Sequence, residues 1–150
     1  MRDYPLPFGR ERLESILPQR PPFLLLDRVL EASPERVVAA KDVRSDDFYF
    51  SGHFPGDPVM PGVLLLEAMA QACLVLHHYN YDFDGKLYLS KATSRFLAPV
   101  RPGDSLRIVT ERIKVMPAMG LARASVLRNE ERLAEAEMGF AAAEWAQALR

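Results

Sequence analysis

A single cysteine, Cys73, stands in 150 residues, which excludes an internal disulfide and any multi-cysteine metal site. A reducing cytoplasm is the compartment this predicts, with no metal and no cofactor expected. A basic excess is also lacking: 19 Lys plus Arg stand against 20 Asp plus Glu, a formal net charge of −1. Nucleic-acid binders carry a basic face that such a balance does not supply, so no nucleic-acid partner is expected. The first residues, Met1 to Pro7, hold no continuous apolar run, and no secretory signal is read there. The longest apolar stretch falls short of the ~20 residues of a membrane span and contains Glu67 and Gln71, so no membrane partner is expected either. What is present is a composition 49% hydrophobic and 26% charged. At this length a chain buries roughly 70% of its unfolded surface and holds a core without staples. Without repeats, low-complexity tracts or linkers, residues 1–150 are expected to form a single domain.

A short helix is predicted from about Arg10 to Leu17, stopped by Pro18. Phe23 to Leu30 reads as a buried strand, with Arg36 to Val43 as its antiparallel partner. Between Ser51 and Gly62 lie three prolines and three glycines in twelve residues, a stretch unsuited to helix or central strand. Val63 to Leu76 follows as a helix apolar on nearly every face, and such a helix must be buried all round. Leu87 to Val100 and a segment through Leu106 and Ile108 read as strands, the latter with a bulge near Val109. Gly120 to Leu127 and Leu133 to Ala143 form a hairpin about Asn129-Glu130-Glu131. Tight turns imply an antiparallel sheet, and the apolar helix needs a wrapping. The expected class is α+β, a curved antiparallel sheet around one long central helix. One side of that helix stays poorly covered in a monomer, which predicts a dimer.

Two ionisable residues stand out. Glu67 has almost only aliphatic neighbours, where a carboxylate is costly unless paired or protonated. Gln71 lies one turn on and is placed to orient it by a hydrogen bond. The pair reads either as a buried polar contact that fixes helix register or as a general acid with a raised pKa. His53 sits in the Pro/Gly-rich loop, which restricts its side chain as a positioned base requires; it reads as a base or as an ordinary loop histidine. Pro61 and Gly62 begin the helix with unpaired N–H groups at the positive dipole end. They read as an oxyanion hole or as a plain helix start. His77 and His78 suit the helix C-terminus and are read as structural. Asp57 with His53 is too sparse for a metal site, and Cys73 reads as a core thiol. Lys91, Arg95, Arg101 and Arg107 read first as solvated faces.

Three blocks together carry a resemblance: Leu17-Pro-Gln-Arg-Pro-Pro-Phe-Leu-Leu-Leu-Asp-Arg-Val, Gly52-His-Phe-Pro-Gly-Asp-Pro-Val-Met-Pro-Gly-Val-Leu-Leu-Leu-Glu-Ala-Met-Ala-Gln, and Phe96-Leu-Ala-Pro-Val-Arg-Pro-Gly-Asp. Over most of its length the chain resembles the 3-hydroxyacyl-acyl-carrier-protein dehydratases of the FabZ type. The resemblance implies a hotdog fold and a homodimer, often assembled into a trimer of dimers. It implies that His53 and the Glu67 of the second copy act together, with the Gly62 amide holding the thioester carbonyl. The implied chemistry is dehydration of a 3-hydroxyacyl thioester to a trans-2-enoyl thioester. The family's glutamate, in place of the aspartate of the related dehydratase–isomerases, implies no added double-bond shift. Phe48, Phe54 and Phe96 are then expected to line an apolar acyl tunnel, and Arg95 and Arg101 to steer the acidic acyl carrier protein. The chain departs from the family pattern at Gln19, where histidine is usual, and at Ser90, where aspartate is usual. Two other functions fit the same fold: a hotdog thioesterase, and a non-catalytic module that binds the acyl carrier or the acyl chain.

Overall fold

The computed structural model describes residues 3–143. Residues 1–2 and 144–150, which the single-domain expectation and the reading of the first residues include, lie outside the described residues. In chain order the elements are α1 (Arg10–Ile16), β1 (Arg28–Ala32), β2 (Arg36–Asp42), α2 (Gly62–Asn80), β3 (Leu87–Phe96), β4 (Ser105–Met116), β5 (Met119–Arg128) and β6 (Glu131–Ala142). The strands form one antiparallel sheet in the order β1-β2-β4-β5-β6-β3. Its concave face wraps α2, which contacts β2, β3, β4, β5 and β6.

The helix is longer than the sequence pattern predicts, reaching Asn80 and closing where the Tyr81 N–H donates to the His77 carbonyl. At 19 residues and a mean hydropathy of 1.2 it is long and apolar enough to cross a membrane, contrary to the expectation from its length. Here the sheet covers it instead. Leu65, Met69, Ala72, Val75 and Leu76 are buried against inward residues of the strands such as Val37, Leu106, Ile108, Val126 and Met138. Truncating one of these large side chains costs about 2–5 kcal/mol. The wrapping is incomplete on one stripe: Val63 is 72% exposed, and Leu66, Glu67, Ala70 and Leu74 are only half-buried. These recur at helical spacing, so one face of α2 looks out of the chain.

Three strand expectations are corrected. Phe23 to Asp27 is not strand; β1 begins at Arg28. Leu24, Leu25 and Leu26 are buried as their run suggests, yet the Leu24 N–H donates to Arg20 and the Leu25 N–H to a side chain of α2. Burial without a neighbouring strand gives an apolar run the same appearance as a strand. The bulge in β4 lies between Arg112 and Lys114 rather than near Val109, and the pairing with β2 runs unbroken past Val109. Leu106, Ile108 and Thr110 keep facing inward, and Val109 is buried on the opposite face, which imitates a change of parity. Lastly, β3 ends at Phe96 rather than Val100. The N–H groups of Leu97 and Ala98 both turn to the Leu133 carbonyl there, and the ladder stops.

The β5–β6 hairpin turns where expected, with Asn129 at φ 54°. At the far edge, all ten residues of β3 are at least partly exposed, Tyr88 and Leu89 among them at 52% and 46%.

Candidate active site

The loop before α2 is held from both ends. At its front, the Asp47 carboxylate accepts from the Arg44 N–H and the Tyr49 hydroxyl, each at 3.0 Å, and lies 3.6 Å from the buried Lys41 ammonium. Further on, Phe54 and Asp57 exchange backbone hydrogen bonds at 2.9 Å across a turn that sets Gly56 at φ 75°. Glycine adopts that left-handed conformation without steric cost. The Arg101 guanidinium then pairs with Asp57 at 2.8 Å and reaches the Pro58 carbonyl at 3.3 Å, while the Met60 N–H donates to Val100.

Within this frame His53 has a defined tautomer. Its Nδ1 lies 2.7 Å from the Val59 carbonyl, and the Val59 N–H returns a bond to the His53 carbonyl. A carbonyl only accepts, so Nδ1 carries the hydrogen, and in the neutral ring the lone pair is left on Nε2. The ring stacks on Phe54 with centroids 4.0 Å apart. Such an imidazole is fit to take a proton at Nε2.

The helix start is open to a ligand. Pro61 caps it without a side-chain bond, and its carbonyl serves Leu64 and Leu65. The Gly62 and Val63 N–H groups precede the first intrahelical donors and point out along the positive end of the dipole. A Cβ at Gly62 would stand 3.2 Å from the Phe96 ring, so only glycine fits beneath it unforced.

Glu67 lies five residues on, about 7.5 Å along the axis, on the half-open stripe. Burial pushes its carboxyl above the ordinary carboxylate range, and a hydrogen bond from Gln71 pulls partly the other way. That bond, Gln71 Nε2 to Glu67 Oε1, measures 3.0 Å. Gln71 is fully buried and also donates to the Phe23 carbonyl at 2.7 Å and accepts from the Leu25 N–H at 2.9 Å. A carboxyl that holds its proton more tightly than usual is better suited to act as an acid.

The remaining candidates divide. Phe48, Phe54 and Phe96 are each about half exposed, at 50%, 50% and 48%. Phe48 borders a cavity of about 500 Å³ with Leu24, Lys41 and Tyr49, whereas Phe96 covers Gly62. Arg95 is exposed, its guanidinium 3.5 Å from the Glu135 carboxylate. Arg101 is engaged with the His53 loop. Cys73 is buried, its Sγ 3.2 Å from the Thr110 hydroxyl, with its thiol pushed up to about 12 by desolvation. The His77 Nε2–H is shared between the Met116 and Pro117 carbonyls. Sequence reasoning missed the Lys41–Asp47 brace, the Val59 carbonyl and the backbone partners of Gln71. Only Lys41, a lysine at an inward position of an apolar strand, left a signal.

The chain has relatives on both levels. The family model described as a FabA-like domain matches residues 17–137. A 3-hydroxyacyl-acyl-carrier-protein dehydratase FabZ of Symbiobacterium thermophilum is 45% identical over 129 residues, covering 84% of this chain and 91% of that protein. The FabZ of Moorella thermoacetica is 46% identical over 135 residues, covering 88% and 94%. Among solved structures, the dehydratase heterocomplex ApeI:P from Xenorhabdus doucetiae matches with a TM-score of 0.77 over 92% of this chain and 97% of that one, at 20% identity. That likeness concerns the fold, in which a curved antiparallel sheet encloses one helix.

Proposed function

The chain belongs to the FabA-like family, among its FabZ-type dehydratases, and from that membership we propose that it dehydrates 3-hydroxyacyl thioesters carried on acyl carrier protein to trans-2-enoyl thioesters in fatty-acid biosynthesis. The observation on the chain itself that carries the reading is the His53 tautomer: Nδ1 is tied to Val59 at 2.7 Å, and Nε2 is left free to accept a proton.

In this reaction His53 Nε2 takes a proton from C2 of the substrate. The C2–H electron pair becomes the C2=C3 bond, and the C3–O bond breaks with its pair to oxygen. Charge on the thioester oxygen is met by the Gly62 N–H and the helix dipole. Hydroxide is a poor leaving group, so Glu67 of a second copy gives its proton to the departing oxygen and water leaves. Return of the proton from His53 to Glu67 through solvent resets both groups. The reverse sequence is hydration.

The second copy is part of the proposal. A long exposed edge strand such as β3 offers unpaired backbone groups that soluble proteins cover. The outward stripe of α2 that carries Glu67 needs covering as well. Pairing two chains along β3 satisfies both, as a homodimer that is open to assembly as a trimer of dimers. Phe48, Phe54 and Phe96 would then contribute to an acyl tunnel shared between copies. Arg95, held by one long contact, suits the acidic carrier better than Arg101, which is occupied with Asp57. The reading places the enzyme in the cytoplasm as one domain.

The test follows enoyl absorbance and free thiol separately on a 3-hydroxyacyl thioester. Enoyl product without thiol is expected, and His53→Ala and Glu67→Gln should each lower the rate about 100-fold or more while the dimer persists. Thiol release would mean hydrolysis instead. Neither product would mean a binding module.

A further inference from the structure

Every polar atom of the Gln71 side chain is engaged, and its partners permit one orientation. The Leu25 N–H donates to Oε1 at 2.9 Å, while Nε2 donates to the Phe23 carbonyl at 2.7 Å and to Glu67 Oε1 at 3.0 Å. A backbone N–H only donates and a backbone carbonyl only accepts. Turning the amide over would set donor against donor at Leu25 and acceptor against acceptor at Phe23. At 0% exposure no solvent compensates such a mismatch. The two backbone partners lie 46 and 48 residues from Gln71, in the segment before β1. The amide is therefore oriented by the tertiary fold, independently of Glu67.

The consequence falls on the two oxygens of Glu67. Oε1 faces a fixed donor in every protonation state. In a carboxylic acid the carbonyl oxygen is the stronger acceptor and the hydroxyl oxygen the weaker, so a fixed donor at Oε1 selects the form with Oε1 as the carbonyl. We propose that Gln71, clamped by Phe23 and Leu25, is a positioning residue that keeps the transferable proton of Glu67 on Oε2. The proposal rests on the reading of Glu67 as the acid. When Oε2–H passes to the oxygen leaving C3, that bond breaks with its electron pair to oxygen and water departs. The negative charge left on Glu67 meets the same Nε2–H, and a hydrogen bond to a charged acceptor is about twice as strong as one to a neutral acceptor. Gln71 thus does two things through Glu67: it sets which oxygen delivers the proton, and it steadies the carboxylate that remains.

The test is isotope-edited infrared spectroscopy of the full chain with labelled glutamate, the Glu67 carbonyl band being assigned by its loss in Glu67→Gln. In the wild type a protonated carboxyl band is expected at the low wavenumber of a hydrogen-bonded carbonyl. Gln71→Met, and Gln71→Asn whose amide is one methylene too short, should move it up. Both should lower kcat roughly tenfold with KM within about twofold, since the effect is on proton delivery and not on substrate binding. A wild-type band at the position of a free carbonyl overturns the proposal, and so does a band that stays put in folded Gln71→Met. Should neither variant fold, the wild-type band decides alone. Undiminished turnover by Glu67→Gln would instead sink the acid assignment, a failure read from rate and not from the spectrum.

Discussion

The ring of Phe96 lies directly over Gly62, 3.2 Å from where a Cβ would stand. That contact ties the end of β3 to the start of α2 and decides what a substitution there does. Gly62→Ala gains a little in helix propensity, at most about 1 kcal/mol, yet pushes the ring by a few tenths of an ångström. The expected result is an unchanged melting temperature and a kcat roughly tenfold lower, because the N–H proposed to meet the thioester is displaced. Combining it with Phe96→Leu should recover much of the loss, read as a non-additive double-mutant cycle. An additive cycle would mean that Phe96 is not what Gly62 accommodates.

Glu67 should weaken the fold that holds it. Burial raises its folded pKa above the unfolded value, so the folded chain keeps the proton where the unfolded chain has lost it. Its relative contribution is fully present below the unfolded pKa, near 4.5, and is lost as pH rises through the folded pKa. Glu67→Gln should therefore stabilise the protein at pH 8, by about 1 kcal/mol, the ordinary scale of such gains. The gain should shrink toward pH 4. Urea midpoints at the two pH values measure it, and an equal effect at both would contradict the sign.

His77 makes the opposite prediction. Burial lowers its pKa, with the bonds to Met116 and Pro117 acting against the shift. A depressed folded value means that stability is present above the unfolded pKa, near 6.5, and is lost as pH falls from there toward the folded pKa. Denaturant midpoints should decline as pH falls below about 6.5, and His77→Asn should flatten that part of the curve. A decline undiminished in the variant would assign it to another group.

Cys73 should be inert to thiol reagents in the native state. Its sulfur is buried, and a thiol pushed up to about 12 carries almost no thiolate at neutral pH. Labelling should follow global unfolding, accelerating in urea in step with the loss of helical signal. Rapid labelling without denaturant would show that α2 opens on its own.

The sequence announces what repeats and hides what is reached across the fold. The all-apolar run from Val63 marks α2, and the alternation through Ala134, Ala136 and Met138 marks β6. Phe23 to Leu26 misleads because an apolar run reports burial, and burial does not say whether the backbone is paired by a strand or by Gln71. Val109 misleads because both faces of β4 are covered there. The resemblance picks out His53, Gly62 and Glu67, but the hydrogen on Nδ1 depends on the Val59 carbonyl, and backbone groups leave no trace in residue type. Arg101 reads as a free surface charge until the fold brings it against Asp57, 44 residues away.

Placing the last strand second from the sheet's edge has a bearing on synthesis. Among the described residues β3 is hydrogen-bonded only to β6, which is translated after every other strand. Until β6 leaves the ribosome, the emerging chain presents α2 with a gap in its cover and β3 with no neighbour at all. Such surfaces are what nascent-chain chaperones hold. Completion of this sheet thus waits for β6, and a message cut short before that strand would yield not a smaller enzyme but a sticky fragment.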